Sequence, residues 1–411
     1  MRFSRHVVEF SYLGTPIIGN TYNGHFIGLT QKGFCICQKM FSSEVAEHEI
    51  KSVDENLFAQ LNKGEFFAGH AFKQTITTAY LHVTNQCNLH CAGCYSYDVK
   101  RNKAENLSIE KLALAIDQLS ILGIKRLIIS GGEPFLREDL PEIIRYAKEK
   151  CSIDYVDVLT NGTLINHEQI KRIAPFVNRI CVSFDGYSEN AVAYIRKKQR
   201  FSELVLAINK IKEAGISAHL IPTIHAKNFT DIEKYFDLST QLDVTLTFSL
   251  LSTRHDNEMI NNLIPTDQDL EDIARILIDI TCDKRMVFQD TPINNNLITK
   301  SFCGVAQGIV SISSDGKIYP CHMLHDDQFL MGSVFDECLD EEFGGEIRKE
   351  LSTLSVESFE GCSSCEIRYF CGGGCRARSY YESGGVYGKD PYCKLMKRFY
   401  DNKLHQMLAM N

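Results

Sequence analysis

Cys87-Asn-Leu-His-Cys91-Ala-Gly-Cys94 sets three cysteines at a Cys-x3-Cys-x2-Cys spacing, with no fourth cysteine within metal-ligand reach. Three thiolates can hold a 4Fe-4S cluster by three of its irons and leave the fourth iron free for an exogenous group. Closed electron-transfer clusters and structural zinc sites normally use four protein ligands. From the spacing alone, a zinc knuckle completed by a distant ligand or by His90 is the competing reading.

The run follows Tyr80 to Thr84, the first of six β-branched stretches that alternate with helical patterns. The others are Arg126 to Ser130, Tyr155 to Thr160, Arg179 to Phe184, Ser217 to Thr223 and Val244 to Leu250. This alternation is the signature of βαβ units and a parallel sheet, here an α/β fold forming a partial, TIM-like (β/α)6 barrel. Helix starts are expected where Ser108 precedes Ile109 and where Thr230 precedes Asp231.

In such a fold ligands bind at the C-terminal ends of the strands, where the cysteines lie. The next three strands end in polar or glycine-rich stretches on the same face: Gly131-Gly132-Glu133-Pro134, Thr160-Asn161-Gly162-Thr163 and Ser183-Phe184-Asp185-Gly186. Glycines admit close backbone approach to a ligand, a carboxylate such as Glu133 accepts from an ammonium group, and Ser183 with Asp185 suits sugar hydroxyls.

Together these residues resemble the signature of the radical S-adenosylmethionine (SAM) superfamily, over residues 80 to 285 or so. The resemblance implies that Cys87, Cys91 and Cys94 hold a 4Fe-4S cluster whose open iron chelates SAM. Gly131, Gly132, Glu133 and Pro134 would bind its methionine amino group, and Ser183 and Asp185 would lie near the ribose. Asn161 joins them as a cofactor-binding residue, and Arg196 matches an arginine that pairs with the SAM carboxylate. One departure stands out: the family usually has an aromatic residue before the third cysteine, where this chain has Gly93, with Tyr95 just after.

The chain has 411 residues, 44% hydrophobic and 23% charged, with a net charge of −8, which argues against a nucleic-acid-binding surface. No apolar run approaches the roughly 18 residues of a membrane span, and the N-terminus has no signal-peptide pattern, so no membrane partner and a cytoplasmic address are expected. In that compartment its 16 cysteines read as metal ligands where clustered. Lone ones, such as Cys151 and Cys181, read as packing.

After residue 300 the chain is rich in glycine and cysteine, with a hairpin pattern from Ile309 to Pro320. The cysteine array is Cys303, Cys321, Cys362-x2-Cys365-x5-Cys371-x3-Cys375 and Cys393. Two closed tetrathiolate sites need eight cysteines and this array counts seven, so one site has another ligand or an open position. The array resembles the SPASM extension of radical SAM enzymes that modify peptides and proteins. That resemblance implies two auxiliary 4Fe-4S clusters, three clusters in all. Cys362, Cys365, Cys371 and Cys393 would hold one. Cys303, Cys321 and Cys375 would hold the other, with a position able to bind a substrate thiolate. His322 stands where anaerobic sulfatase maturases have an aspartate proposed as a base. An imidazole could serve as that base, or be a hydrogen-bonding neighbour of the cluster.

Residues 1–75 read as a small α+β module, with extended runs at Val7 to Phe10, Pro16 to Ile18 and His25 to Leu29. Helical stretches follow around Phe34 to Met40 and Ser52 to Leu61. The module resembles winged-helix leader-recognition elements, which capture a precursor peptide as an added strand, and a plain cap over the barrel is the alternative. Residues 76–285 are expected to form the barrel and 286–411 the SPASM domain. The expected activity is that of a radical SAM oxidoreductase of peptide side chains. It would form a thioether or carbon-carbon cross-link in a ribosomal precursor peptide, with an electron donor such as flavodoxin or ferredoxin. Formylglycine formation, as in sulfatase maturases, is the alternative.

Overall fold

The structure is a computed structural model that describes residues 1–69, 75–252, 258–282, 297–336, 339 and 343–409. The chain forms two compact units, one from 1–73, 291–303 and 354–411 and the other from 74–290 and 304–353. This grouping does not coincide with three consecutive segments.

In the first unit, β1 (Val7–Tyr12), β2 (Thr15–Asn20) and β3 (Phe26–Gly28) form an antiparallel sheet in that order, so β1 and β3 are its edges. Leu13 and Gly14 join β1 to β2 with φ of 47° and 76°, the positive values of a two-residue hairpin turn. Three helices follow: α1 (Gln31–Ser42), α2 (Glu47–Val53) and α3 (Glu55–Lys63). The stretch expected as one helix from Ser52 to Leu61 is broken at Asp54, an extended residue whose carboxylate accepts from the N–H groups of Asn56 and Leu57 to cap α3. Ile18, Met40, Ile50, Leu61 and Phe66 are buried together in its core.

The C-terminal segment packs in this same unit. The Phe10 and Phe26 rings lie 5.3 and 5.0 Å from that of Phe370, and the Tyr12 hydroxyl donates to Asp401 at 2.7 Å. Thr299 is stitched to the β2–β3 turn: its hydroxyl lies 3.1 Å from the Asn20 carbonyl and 3.0 Å from that of His25, and its N–H donates to Gly24.

The second unit is built on β4 (Thr78–Thr84), β5 (Arg126–Gly131), β6 (Tyr155–Thr160), β7 (Arg179–Phe184) and β8 (Ser217–Ile224), paired in parallel in chain order. The sixth expected strand is two short pieces, β9 (Thr245–Leu246) and β10 (Ser249–Leu250), both on β8. The strand breaks where buried Phe248 turns into Tyr235 and Phe236, 6.0 and 5.6 Å away. The sheet is an open, partial barrel: β11 (Ile309–Ile312) joins β4 in parallel, and β12 (Ile318–Tyr319) pairs with β11 as the expected hairpin.

Helices α4 (Ile109–Ile121), α5 (Leu140–Glu149), α6 (His167–Ile173), α7 (Phe201–Glu213) and α8 (Ile232–Leu242) separate the parallel strands. The face of α4 carrying Leu112, Ala115, Ile116 and Leu119 is buried, and Ser108 caps it as expected by accepting from Lys111. Thr230 does not cap α8, which begins at Ile232 after a 3-10 turn over Phe229–Asp231. Cys181 is buried in β7, whereas Cys151 follows α5, half-buried, and its thiol donates to Asp117. Among the described residues no helix is long and apolar enough to cross a membrane.

Candidate functional site

The loop after β4 is held by backbone and side-chain hydrogen bonds together. Gly132 donates to the Thr84 carbonyl and Glu133 to that of Gln86, both at 2.8 Å, so the cysteine loop and the loop after β5 run side by side. Asn102, at φ 64°, reads Cys87 from both sides: its carbonyl accepts from the Cys87 N–H at 2.8 Å and its amide donates to the Cys87 carbonyl at 3.1 Å. Ala92 donates to the Ile195 carbonyl at 2.9 Å, which ties the loop to the segment carrying Arg196.

Cys87, Cys91 and Cys94 are free thiols. Burial raises the Cys87 pKa, with an ionised Cys94 adding to it. Burial pushes Cys91 up to about 11, where Arg196 opposes it and Cys94 and Cys87 add to it. The three thiols are therefore electrostatic neighbours. Among the described residues, no three His, Cys, Asp or Glu side chains converge on a single-ion position. Three neighbouring free thiols are a donor set of the kind that holds an iron-sulfur cluster. A positive charge is supplied nearby, for an Arg101 N–H lies 3.6 Å from Cys94 Sγ.

Gly93 has φ 63°, and a Cβ built there would stand 2.8 Å from Leu251 Cδ1 and 3.2 Å from the Ser252 carbonyl oxygen. The end of β10 thus occupies the space that an aromatic at position 93 would need. Leu251 packs there with Ala92 and Ile195, with Tyr194 against them.

The other sequence-predicted residues mostly bind one another. Glu133 is buried, and its carboxylate accepts from the Thr160 hydroxyl and Asn161 N–H at 2.7 Å and the Phe135 N–H at 3.1 Å. Burial raises its pKa and these hydrogen bonds oppose the shift. Asn161 also donates to Asn88 in the cysteine loop at 2.9 Å, so Glu133 and Asn161 fix three loops together. Pro134 opens the short turn after Glu133. Asp185 accepts from the N–H groups of Ile195 and Arg196 at 2.9 Å each; burial raises its pKa and Arg196 opposes that rise. Ser183 lies half-buried near the end of β7.

Arg196 lies among Cys91, Glu133 and Asp185, lowering all three, and its Nε is buried without a hydrogen-bond partner. Two further buried atoms without partners stand at the ends of β8 and β10, His225 Nε2 and Ser252 Oγ. His225 Nδ1 accepts from the Lys227 N–H, which leaves the proton on Nε2, and burial holds the ring neutral by lowering its pKa to about 4. Orphaned buried polar atoms ask for a partner, and these three suit a polar ligand. Sequence reasoning missed His225, Ser252, Arg101 and Asn102; only the position of the first two at strand ends could have signalled them.

His322 stacks on Tyr80 at 4.1 Å and meets the Tyr95 ring edge-on at 5.3 Å, with its Nδ1 3.7 Å from Cys321 Sγ. Burial lowers its pKa to about 4, so the neutral ring is a weak base at neutral pH.

In the first unit, Cys362, Cys365, Cys371 and Cys393 come together. After burial, Cys393 and Cys365 act on Cys362, Cys393 and Cys362 on Cys371, and Cys365 on Cys393. Cys375 has Cys303 as a neighbour. Cys321 belongs to the second unit. Four gathered thiols fit a closed cluster. The count of seven omits Cys338, an eighth C-terminal cysteine that lies outside the described residues.

The frame around these cysteines is charged and buried. Asp390 pairs with Arg378 at 3.1 Å and accepts from the Cys375 N–H at 2.5 Å. Arg376 donates to the carbonyls of Val386 and Gly388 at 2.9 Å each, and its guanidinium lies 4.0 Å above the Phe359 ring.

Residues 81–239 match the family model of the radical SAM superfamily, and residues 303–366 match SPASM, an iron-sulfur cluster-binding domain. The chain is 27% identical over 337 residues to an AdoMet-dependent heme synthase of Methanosarcina barkeri (76% of this chain, 94% of the relative). It is 26% identical over 326 residues to a PqqA peptide cyclase of Granulibacter bethesdensis (76% of this chain, 86% of the relative). Its fold is similar to that of Streptococcus suis SuiB bound to the precursor peptide SuiA, with TM-score 0.61 and 13% identity, covering 95% of this chain and 98% of that one. With the open cysteine loop at the barrel mouth and a thiol-rich C-terminal segment, these matches show that the chain is a radical SAM enzyme with a SPASM domain, and so one that uses SAM and iron-sulfur clusters.

Proposed function

We propose that this enzyme modifies a ribosomally made precursor peptide by forming a thioether or carbon-carbon cross-link, using one SAM-binding and two auxiliary 4Fe-4S clusters. When bound, SAM and its cluster supply a 5′-deoxyadenosyl radical that abstracts a hydrogen atom. The protein orients and shields this chemistry. Cys87, Cys91 and Cys94 would hold the cluster, Arg196 would face the SAM carboxylate, and the backbone from Gly131 to Pro134 would line its amino group. Glu133, spent on Thr160, Asn161 and Phe135, positions those loops.

The observation that carries the peptide reading is the first unit's small sheet, whose edge strands β1 and β3 pair with no further strand among the described residues and which packs with the four-cysteine segment. The named peptide cyclase and the SuiB fold add support. Formylglycine formation is less favoured, because His322 stands where that chemistry has an aspartate.

The test is anaerobic incubation with SAM, a reductant such as reduced flavodoxin, and a peptide encoded by a short reading frame beside the gene. Mass spectrometry should show loss of two hydrogens from the peptide. An unchanged peptide alongside turnover of a tetrapyrrole, the class named by the heme synthase, would overturn the reading.

A further inference from the structure

Lys300 precedes Cys303 by three residues, and neither the SAM site nor the peptide reading uses it. Its N–H donates to the Tyr369 carbonyl at 2.7 Å, which fixes it against the turn that carries Cys371. The half-buried side chain crosses Gly372: a Cβ there would lie 2.8 to 2.9 Å from Lys300 Cγ, Cδ and Cε. Gly372 has φ 68°, so a glycine both makes the turn and clears the path for the lysine.

That path runs the side chain beside Gly372, the residue after Cys371 of the four-thiol set, and Lys300 stands three residues before Cys303 of the other set. Burial lowers the Lys300 pKa, while Cys371 and Cys303 pull it up. After burial, Lys300 is in turn the largest influence on Cys371. The described residues give its ammonium no carboxylate partner. Other cations near the four-cysteine set are differently placed: Arg376 is committed to backbone carbonyls, and Lys389 and Lys397 are exposed, where solvent screens them.

We propose that Lys300 is a positioning residue that shares one positive charge between the two auxiliary clusters and raises both reduction potentials. A cluster gains a negative charge on reduction, so a fixed cation beside its thiolates favours the reduced form. A charge between the sets acts on both at once. The proposal rests on the reading that this segment holds two auxiliary clusters.

The experiment uses the full chain with Cys87, Cys91 and Cys94 all replaced by alanine, so that auxiliary signals alone remain, and follows EPR-monitored redox titrations alongside iron and sulfide analysis. Adding Lys300→Met should leave iron and sulfide unchanged and lower both midpoints. At fixed potential the oxidised-to-reduced ratio should rise at least about tenfold, which is 59 mV for one electron. Lys300→Arg should keep both midpoints. Fully loaded Lys300→Met protein with neither midpoint moved, or with only one moved, overturns the shared charge. If Lys300→Met loses iron, loading restored by Lys300→Arg supports a charge role and loss in both variants overturns it. A triple-cysteine protein without iron or sulfide overturns the auxiliary-cluster reading itself, whereas intact clusters with unmoved potentials count against the lysine alone.

Discussion

The two cysteine sites solve opposite problems. The loop after β4 gathers its three thiols within eight residues and is steadied by neighbouring loops, through backbone bonds and through Asn102, Asn161 and Glu133. The four-thiol set spans Cys362 to Cys393 and is framed by buried ions, Arg376 and the Arg378–Asp390 pair. A site that must admit a ligand keeps orphaned donors such as Arg196 Nε, His225 Nε2 and Ser252 Oγ. The frame of the four-thiol set also has an orphaned Nε, on Arg376, but the other guanidinium nitrogens of that arginine are spent on backbone carbonyls.

Substitutions can break this contrast. The largest effect should come from replacing any one of Cys87, Cys91 or Cys94 with alanine, which should reduce 5′-deoxyadenosine formation below detection. Cys365→Ala should leave SAM cleavage measurable while abolishing peptide product; if SAM cleavage survives the first change or disappears with the second, the division of labour is wrong.

Asp390→Asn strands Arg378 in a buried position, which costs about 3–5 kcal/mol. Calorimetry should show a lower melting temperature, with iron lost from the first unit before the second. Equal iron loss from both sites would contradict the assignment of this pair to one site.

Gly93→Phe sharpens the comparison at the open site. Overpacking against Leu251 and the left-handed backbone should together destabilise the chain by about 2–4 kcal/mol. SAM affinity measured by equilibrium dialysis should fall. A variant as stable as the parent would show that the end of β10 yields readily.

The smallest effect is expected from Asp54→Ala, which removes the cap of α3 and costs about 1 kcal/mol. Peptide affinity, followed by fluorescence anisotropy, should weaken while peptide-independent SAM cleavage stays unchanged. A change in cleavage without a change in affinity would argue against a recognition role for the module.

Much of the second unit was legible because β-branched runs mark buried parallel strands and the cysteine spacing marks the loop. The strand limits at Tyr155–Thr160 and Arg179–Phe184 coincide with the expected ones. What escaped depends on contacts distant in sequence. Nothing local announces that Ile309–Ile312 will pair with β4, or that Asn102 and Arg101 return to Cys87 and Cys94. Asp54 is of a residue type that caps helices, yet the apolar periodicity on both sides of it reads as one helix from Ser52 to Leu61. The role of Gly93 depends on Leu251, distant in sequence, which fills the neighbouring space.

The Thr299 stitch has a consequence for how the protein is made. Its hydroxyl meets the Asn20 carbonyl across 279 positions, and Tyr12 meets Asp401 across 389. At about 5–20 residues per second, the first hairpin is synthesised roughly 14 to 56 s before Thr299. During that interval the early sheet must persist without the segment that completes it, so nascent chains stalled before residue 299 should be more readily cut by protease in residues 1–69 than released full-length chains.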